Sequence, residues 1–417
     1  MNMYSDDWDA ESSKMASIYE DSYLTLAAAL APSNDDGFLG RNNDRLLFKS
    51  EPVQAFFGVR VRNIHDFRSL PVEDVLSTRA WSLQERLVSP RLLTFSLGVS
   101  LECREASWCE CGSGRYPDPF LGSLQAWSQF DRREYMQALE IEVEAEKLYK
   151  YWMEGIVQLY SERKLSKQSD RLPAISALAQ KFQMKLDDTY VAGIWSGDII
   201  AGLSWVCRNT NLDASEQGPS WSWVSVEGPL CNENTILKRS RKPNFRLQIL
   251  EWSVTPMGLN TAGEVHDAFL RVEGPALTAL LILEEQEEVD NLTLAYQFIT
   301  EDGDFGKSSI RHGFFPDTSL VEADAVQADG DIIRTLQRST ISKQGSVVGS
   351  VVCLMLFQTW TDGVGSFLRR DFLVLGRSVS KIGCYIRLGM LCLTYPQERV
   401  DYGKWFDDLP ERECVLI

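Results

Sequence analysis

The spacing of apolar residues along the sequence changes at about residue 218, and this change constrains the fold more than any other feature. Before it, apolar residues recur at helical spacing between turn-rich stretches; beyond it, short Val, Ile, Leu and Phe runs alternate with polar loops. We therefore expect a β-rich region over 218–417, preceded by a mixed α/β part. The strands predicted in that region are Leu247–Val254, Phe269–Val272, Ala279–Leu283, Leu292–Phe298, Val351–Phe357, Phe372–Leu375 and Tyr385–Leu393. Exposed loops are expected over Glu284–Glu288 and Ser319–Gly330.

The first half of the chain predicts fewer strands and more helices. A helix is expected from about Ala10 to Asp21, because aspartates precede it and apolar residues follow at helical spacing. Tyr23–Leu30 follows as a buried strand. Phe130–Arg163 predicts a long helical region, and Asp170–Phe182 predicts a second helix with Pro173 in its first turn. Since 417 residues exceed one compact core, we expect two or three domains.

Arg79–Arg91 is the segment richest in chemistry. It combines an indole, an amide, a carboxylate and three guanidiniums, a density that packing alone rarely requires. Its centre predicts a short helix over Ser82–Leu87 that ends at Pro90, and a hairpin of Leu92–Phe95 with Val99–Cys103 follows. The candidate binding side chains in this segment are Trp81, Gln84, Arg86 and Arg91, with Glu85 as a candidate catalytic carboxylate.

Two roles remain open for each central residue of that segment. Glu85 either faces a ligand or pairs with Arg79, Arg86 or Arg91 in an ion-pair network that fixes geometry. Trp81 is either a core anchor or a stacking platform. Further along, Trp221 and Trp223 alternate at strand spacing, which predicts that both face one side of a sheet, where they pack against it or form a binding cage.

Other kinds of site find little support in the sequence. The three histidines lie far from any plausible nucleophile, and no phosphate-binding glycine loop is present. Cys103, Cys109 and Cys111 do not match a zinc-binding spacing and have no histidine nearby, so no metal site is predicted.

Net charge and hydropathy limit the classes of binding partner and the cellular compartment that we expect for this chain. The formal net charge of −17 disfavours nucleic acid and anionic lipid. The apolar run Val347–Trp360 is interrupted by polar residues and is shorter than the roughly 20 residues that span a bilayer, so it predicts a buried strand. Several of the nine cysteines lie in apolar contexts typical of buried thiols, and no secretory signal is recognisable. We expect a cytoplasmic protein with neither nucleic acid nor membrane as partner.

Several segments together carry a family resemblance. They are Asp7–Tyr19, Gly37–Leu39, Arg79–Arg91 with its extension to Cys103, Tyr160–Arg163, Asp170–Ile175 and Pro219–Trp223. Together they resemble the fungal heterokaryon-incompatibility (HET) domain family over roughly the first half of the chain. That family's domain normally opens with two strands that precede the helix found here, so the resemblance implies an N-terminally truncated HET domain. It divides the chain into a partial HET domain over 1–110, a helical region over 111–217 and a β-rich domain over 218–417.

The resemblance also implies a fold and a function. HET domains are thought to be remotely similar to Toll/interleukin-receptor (TIR) domains, so an incomplete TIR-like α/β core is expected. The implied function is fungal self/non-self recognition that ends in programmed cell death, through a protein partner or self-association.

Two enzymatic alternatives accompany this function. Some TIR domains hydrolyse NAD, which would make NAD a substrate while no cofactor is implied. Glu11 lies where their catalytic glutamate lies and would stabilise an oxocarbenium-like transition state; the alternative is that Glu11 only complements the helix dipole. The other function is that of a repurposed enzyme or accessory protein of fungal secondary metabolism, with an apolar pocket around Trp81, Glu85 and Trp221.

Overall fold

The structure is a computed structural model. It describes residues 14–31, 33, 35, 37–38, 75–96, 99–109, 132–207, 217–232, 243–288, 291–300, 303–305, 311–339, 346–361, 367–396 and 406–417. These residues fall into two compact units. Unit 1 comprises the described parts of Met1–Tyr151 and Arg163–Asp187, and unit 2 comprises those of Trp152–Glu162 and Asp188–Ile417.

The α-helices of the described residues, in chain order, are α1 (residues 14–20), α2 (Ser82–Val88), α3 (Arg132–Glu140), α4 (Ala145–Lys150), α5 (Gln158–Ser161), α6 (Ser176–Leu186) and α7 (Ile199–Gly202). A π-helical stretch, Tyr151–Val157, joins α4 to α5. Short 3-10 turns are Leu76–Thr78, Gln168–Asp170, Pro173–Ile175, Ser196–Asp198, Trp223–Ser225 and residues 406–408.

The strands, in chain order, are β1 (Thr25–Ala28), β2 (Arg91–Phe95), β3 (Val99–Cys103), β4 (Ser107–Cys109), β5 (Tyr190–Val191), β6 (Ile194–Trp195), β7 (Trp205–Cys207), β8 (Leu230–Asn232), β9 (Asn244–Phe245), β10 (Gln248–Pro256), β11 (Val265–Glu288), β12 (Asn291–Thr300), β13 (Gly303–Phe305), β14 (Arg311–Pro316), β15 (Leu320–Val326), β16 (Ile332–Arg338), β17 (Val347–Thr361), β18 (Phe367–Arg377), β19 (Cys384–Pro396) and β20 (Glu411–Leu416). The molecule is therefore mixed α/β with few helices and many strands, and its C-terminal region is strand-rich, as the sequence predicted.

Unit 1 is built on a four-stranded sheet in the order β1-β2-β3-β4. β1 runs parallel to β2, whereas β2, β3 and β4 are successively antiparallel. Helices α2 and α6 pack against each other, and the Tyr135 ring of α3 stacks on Phe182 of α6 with centroids 6.0 Å apart. The short helix before Pro90 and the β2–β3 hairpin are present as predicted. The strand after the opening helix is present as β1, but it is shorter than Tyr23–Leu30 and only one of its four residues, Ala27, is buried. Gln54–Arg62, whose alternation in the sequence also predicts a strand, lies outside the described residues.

The second helix of the middle region begins later than the sequence predicted. It starts at Ser176, not Asp170, because two 3-10 turns precede it and the second of them opens with Pro173. Proline lacks the amide hydrogen of a helix interior and disfavours helical geometry in the residue before it. Asp170 therefore lies in a separate 3-10 turn before α6 and is not part of that helix.

Unit 2 is dominated by a twelve-stranded sheet, and five of its strands form a closed ring. β17, β18 and β19 are a meander, β19 pairs in parallel with β20, and β11 pairs antiparallel with both β20 and β17. A large apolar core lies on the sheet, with Leu281, Met355, Phe372 and Leu391 at its centre. The predicted buried strand over Val347–Trp360 is confirmed as β17.

Three predictions for unit 2 are wrong. Phe269–Val272 and Ala279–Leu283 belong to the single strand β11, although Gly274 and Pro275 lie between them. Glu284–Glu288, predicted as an exposed loop, is the end of the same strand and pairs with β12. Ser319–Gly330, also predicted as a loop, contains strand β15, whose acidic residues pair with Arg334 on β16. In each case pairing with neighbouring strands outweighs the local composition.

Of the residues described, no helix combines the length and apolar character needed to cross a bilayer.

Candidate functional site

Helix α2 of unit 1 positions most of the candidate side chains. Ser82 opens the helix, and its hydroxyl donates to the carbonyl of Arg79 over 2.8 Å and to that of Leu76 over 2.5 Å. At the other end, the Ser89 hydroxyl donates to the Glu85 carbonyl over 2.6 Å, just before Pro90 ends the helix. Because both ends are fixed, successive side chains of this seven-residue helix point in fixed and different directions.

Arg86 and Gln84 make buried contacts in the interior of unit 1. Arg86 Nη2 lies 3.2 Å from both carboxylate oxygens of Glu102 on β3, and both side chains are almost fully buried. Gln84 Oε1 accepts from the backbone amide of Ala177, 3.2 Å away, in the first turn of α6. The predicted binding residues Arg86 and Gln84 therefore tie α2 to the sheet and to α6, and unpaired Arg or Glu at these depths would be costly.

Trp81 is half-buried at the N-terminal end of α2. Its indole Nε1 donates to Asp170 Oδ2 over 3.2 Å. This bond joins the start of the Arg79–Arg91 segment to the 3-10 turn before α6. Trp81 thus has the anchoring contact of a packing residue, one of the two roles that the sequence left open.

Glu85 has a different environment, on the opposite side of α2 from the interior contacts. Its side chain is half-buried, and Arg79 and Tyr19 of α1 are the residues that act on the pKa of its carboxyl. Burial raises the pKa of the Glu85 carboxyl above its usual value, while Arg79 and the Tyr19 hydrogen bond oppose that rise. Burial and the neighbouring Glu85 charge together raise the pKa of Tyr19 to about 12.

The three arginines of the segment thus have three different partners. Arg79 faces Glu85, Arg86 pairs with Glu102, and the exposed Arg91 turns to the start of β1. Arg91 Nη1 donates to the Tyr23 carbonyl over 3.1 Å, and its guanidinium lies 4.9 Å from the centre of the Tyr23 ring. Of the three arginines considered as ion-pair partners of Glu85, Arg79 is the one that acts on the pKa of its carboxyl.

Glu11, the other candidate catalytic residue, lies outside the described residues. The helix described after it begins at residue 14 and shares unit 1 with the Arg79–Arg91 segment. Tyr19 was not singled out as a functional residue in the sequence. The signal that could have found it is its place on the same helical face as Met15 and Ser22, next to a strand that pairs with β2.

Trp221 and Trp223 belong to unit 2, and the prediction that they alternate along a strand is wrong. Trp223 opens a 3-10 turn, since the Ser222 hydroxyl caps that turn by accepting from the amide of Val224 and also donates to the carbonyl of Ala192. Both indoles are fully buried, and Trp223 Nε1 donates to the Gly193 carbonyl over 2.8 Å. Their surroundings are those of packing residues.

The turn that receives Trp223 is the two-residue connection between β5 and β6. Both of its residues have positive φ, 45° for Ala192 and 103° for Gly193. The Gly193 carbonyl accepts from a second indole, that of Trp152, also over 2.8 Å, and Trp195 and Tyr190 pack edge-on against the Trp152 ring. The tryptophan richness of the sequence is therefore used, in large part, to build the interior of unit 2.

A buried charge network that the sequence did not reveal lies elsewhere in unit 2. Asp317 Oδ2 accepts from Arg387 Nε over 2.9 Å and from Arg338 Nη2 over 2.6 Å, and all three side chains are buried. The Arg387 guanidinium also lies 3.4 Å from the centre of the Trp205 ring and donates to the carbonyls of Leu203 and Trp205. Burial lowers the pKa of Arg387, and Asp317 counteracts this effect. With its donors satisfied, the network fixes the packing of the unit.

Comparisons of the whole chain with protein-family models, with curated proteins and with solved structures gave no match.

Proposed function

We propose that this chain is a HET-type protein of fungal self/non-self recognition, whose unit 1 promotes cell death when partners are incompatible. One observation carries the proposal: the opening helix with the strand that follows it and the Arg79–Arg91 segment, which resemble that family separately, lie in one α/β unit, where the hydroxyls of Thr25 and Ser89 are 2.8 Å apart. The parallel pairing of β1 with β2 supports a common sheet for both segments. Glu85 is the residue of this unit on which the proposed activity depends.

Regulated expression in a filamentous fungus tests this function. The intact chain is expected to stop hyphal growth and to admit a vital dye, whereas Glu85→Gln reduces the fraction of stained cells by about tenfold. Glu251→Gln is the matched control, because Glu251 is an exposed carboxylate of unit 2 that pairs with Arg271. Unstained cells that accumulate the intact chain, or equal staining with the Glu85→Gln variant, contradict the proposal.

A second candidate is NAD cleavage by a TIR-like core, and the environment of Glu85 favours it. A half-buried carboxylate whose pKa is raised by burial, against the opposing effects of Arg79 and Tyr19, has the character of acid–base or charge-stabilising groups in glycosidic chemistry. In this second function Glu85 supports the oxocarbenium-like transition state, and Glu11 carries the role that the family resemblance gives it.

Release of nicotinamide from NAD by the purified chain tests the second candidate. Both Glu85→Gln and Glu11→Gln are expected to lower the rate by at least about tenfold, and the Glu251→Gln control to leave it unchanged. If the intact chain releases no nicotinamide, alone or mixed with lysate from an incompatible strain, NAD cleavage is wrong while the recognition function remains open to the expression test.

A further inference from the structure

The four-stranded sheet of unit 1 has one buried face and one exposed face. The face toward α2 is buried, and its Glu102 pairs with Arg86 of that helix. Antiparallel strands with one solvated face normally carry polar side chains there. The opposite face of this sheet, here called the outer face, is apolar instead. Because successive strand residues point to opposite faces, its members are Leu26, Ala28, Arg91, Leu93, Phe95, Val99, Leu101, Cys103 and Trp108.

An apolar row crosses the whole width of the outer face. Leu26 on β1 is the partner of Leu93 on β2, and Leu93 is the partner of Leu101 on β3. Leu101 is in turn the partner of Trp108 on β4. Directly paired residues share a face, so these four side chains are neighbours. Leu26 is 55% exposed, Leu101 37% and Trp108 54%, which leaves much of the row open to solvent.

The outer face carries little charge. Among its described strand residues, Arg91 is the only charged side chain. The Arg91 guanidinium donates to the Tyr23 carbonyl over 3.1 Å and lies 4.9 Å from the centre of the Tyr23 ring, so it keeps these contacts when the face is covered. The chain as a whole has a formal net charge of −17, and two copies therefore repel each other over most of their surface. A face without carboxylates is where two such copies meet at the lowest electrostatic cost.

The apolar area of this face approaches what one side of a protein interface requires. Tyr23, at 83%, and Leu24, at 38%, add their exposed parts beside the row. At about 150–250 Å² for a fully exposed large side chain, these five exposed residues present roughly 500–600 Å². The half-buried members of the outer face add to this area. An interface of standard size buries about 800 Å² on each partner, and monomers rarely expose apolar patches larger than a few hundred Å².

We infer that the outer face of unit 1 is the contact surface of a homodimer, in which a second copy of this chain packs its own outer face against it. A two-fold axis brings the same patch of both copies together, so an apolar and nearly uncharged patch is complementary to itself. A different partner selected by charge would meet only Arg91 here. The inference is independent of the proposed function, because it uses neither Glu85 nor the family resemblance.

Sedimentation velocity of the purified intact chain, over about 1–100 μM, tests the dimer. The intact chain is expected to form a dimer whose fraction rises with protein concentration. Leu101→Lys places two lysines, one from each copy, in the contact without a counter-charge, and the dissociation constant should rise at least about a hundredfold. Trp108→Lys tests the same contact from the edge strand β4, where a substitution disturbs the fold less than at the centre of the sheet.

Leu280→Lys is the matched control, because Leu280 is also a strand leucine, 40% exposed, but belongs to unit 2. It should leave the dissociation constant unchanged, and circular dichroism checks that every variant is folded. Salt provides a second measurement. Raising the ionic strength from about 0.01 to 0.15 M shortens the Debye length from about 30 to 8 Å. Because this screens the repulsion between two acidic copies, the dimer should become stronger.

Four results overturn the inference: a monomer at every concentration, a dimer that Leu101→Lys and Trp108→Lys leave intact, a dimer that Leu280→Lys weakens equally, or a dimer that salt dissociates. A dimer with the expected responses supports it. If that dimer forms while the intact chain causes neither dye uptake nor nicotinamide release, the homodimer stands and the proposed function fails.

Discussion

At the residue scale, neighbouring side chains of α2 divide structural from chemical roles. Arg86 and Gln84 are directed into unit 1 and make specific interior contacts, whereas Glu85, between them, is only half-buried and has a raised pKa. A helix turns by about 100° per residue, so such a division needs only adjacent positions. The segment resembles a functional signature because it carries both roles at once.

The buried ion pair predicts an asymmetric response to substitution. Arg86→Met leaves Glu102 buried without its partner, and we expect the free energy of unfolding of unit 1 to fall by about 3–5 kcal/mol. Combining it with Glu102→Leu removes both charges, and most of that loss should be recovered. Urea denaturation of the two variants checks this; a double variant no more stable than Arg86→Met would contradict it.

The raised pKa of Glu85 predicts a pH-dependent effect of Glu85→Gln. Because the folded protein holds the proton of Glu85 more tightly than the unfolded chain does, the stability linked to this proton is complete below the unfolded pKa. That stability is lost as the pH rises through the folded pKa. The uncharged glutamine avoids the loss, so Glu85→Gln should raise the unfolding midpoint of unit 1 at pH 7, with the gain disappearing near pH 4.

Urea unfolding at both pH values, with Glu251→Gln as control, measures that difference. A gain that persists unchanged at pH 4 would show that it does not arise from the charge of Glu85.

At the element scale, the turn between β5 and β6 is tightly specified by its contacts and by its backbone geometry. Its carbonyls accept from one serine hydroxyl and two indoles, and its geometry requires positive φ at both positions. Non-glycine residues rarely adopt such φ values, so the buried Ala192 stores some strain that the surrounding contacts maintain. The turn therefore organises the aromatic interior around it.

Gly193→Ala should be among the most destabilising single substitutions in unit 2. A Cβ at this position would lie 2.7 Å from Trp223 Nε1, in addition to the strain of a φ of 103°, so we expect a loss of about 3 kcal/mol or more. Gly383→Ala is the control: its φ is also positive, at 79°, but nothing lies within 4 Å, and the loss should be about 1 kcal/mol. Equal losses in urea denaturation would refute the role of Trp223 contact.

The elements also show what the sequence could predict. Helix α2 and the β2–β3 hairpin follow from local signals, namely Pro90 and alternating apolar residues, and both were predicted nearly to the residue. β11 was not, because Gly274 and Pro275 interrupt its local pattern while its pairing partners change at the same point, from β10 and β20 to β17 and β12. Partners distant in sequence decide such a strand.

For the candidate site, the sequence predicted the residues but not their contact partners. Composition identified Glu85 and the residues around it, but their partners Tyr19, Glu102 and Asp170 lie 66, 16 and 89 positions from the side chains that they contact. No local pattern encodes such pairings. The different partners of Trp81, Glu85 and Arg86 could therefore not be assigned before the fold was known.

At the scale of the whole molecule, buried charge stabilises unit 2 as specifically as apolar packing does. Asp317 neutralises Arg387 from β19 and Arg338 from β16, and these arginines also bind the segments around Leu203 and Ser220. One carboxylate thus joins the sheet to the loops that carry the buried tryptophans.

Asp317→Asn is expected to lower the free energy of unfolding of unit 2 by about 3–5 kcal/mol, because it leaves two buried guanidiniums without their counter-charge. Asp267→Asn, which removes one member of an exposed pair with Lys381, should change it very little. Tryptophan fluorescence during urea denaturation reports both. Similar midpoints for the two variants would show that the network does not stabilise the unit.

The ring of unit 2 has a consequence for how the chain reaches its folded state. Its first member, β11, begins at Val265, and the strand that completes the circle, β20, emerges from the ribosome about 150 residues later. During that interval β11 presents an edge that awaits β20, and β19 presents another once it has been made. At translation speeds of about 5–20 residues per second, the edge of β11 is exposed to pairing with the wrong strand for about 8 to 30 s, which makes unit 2 a natural client for chaperones during synthesis.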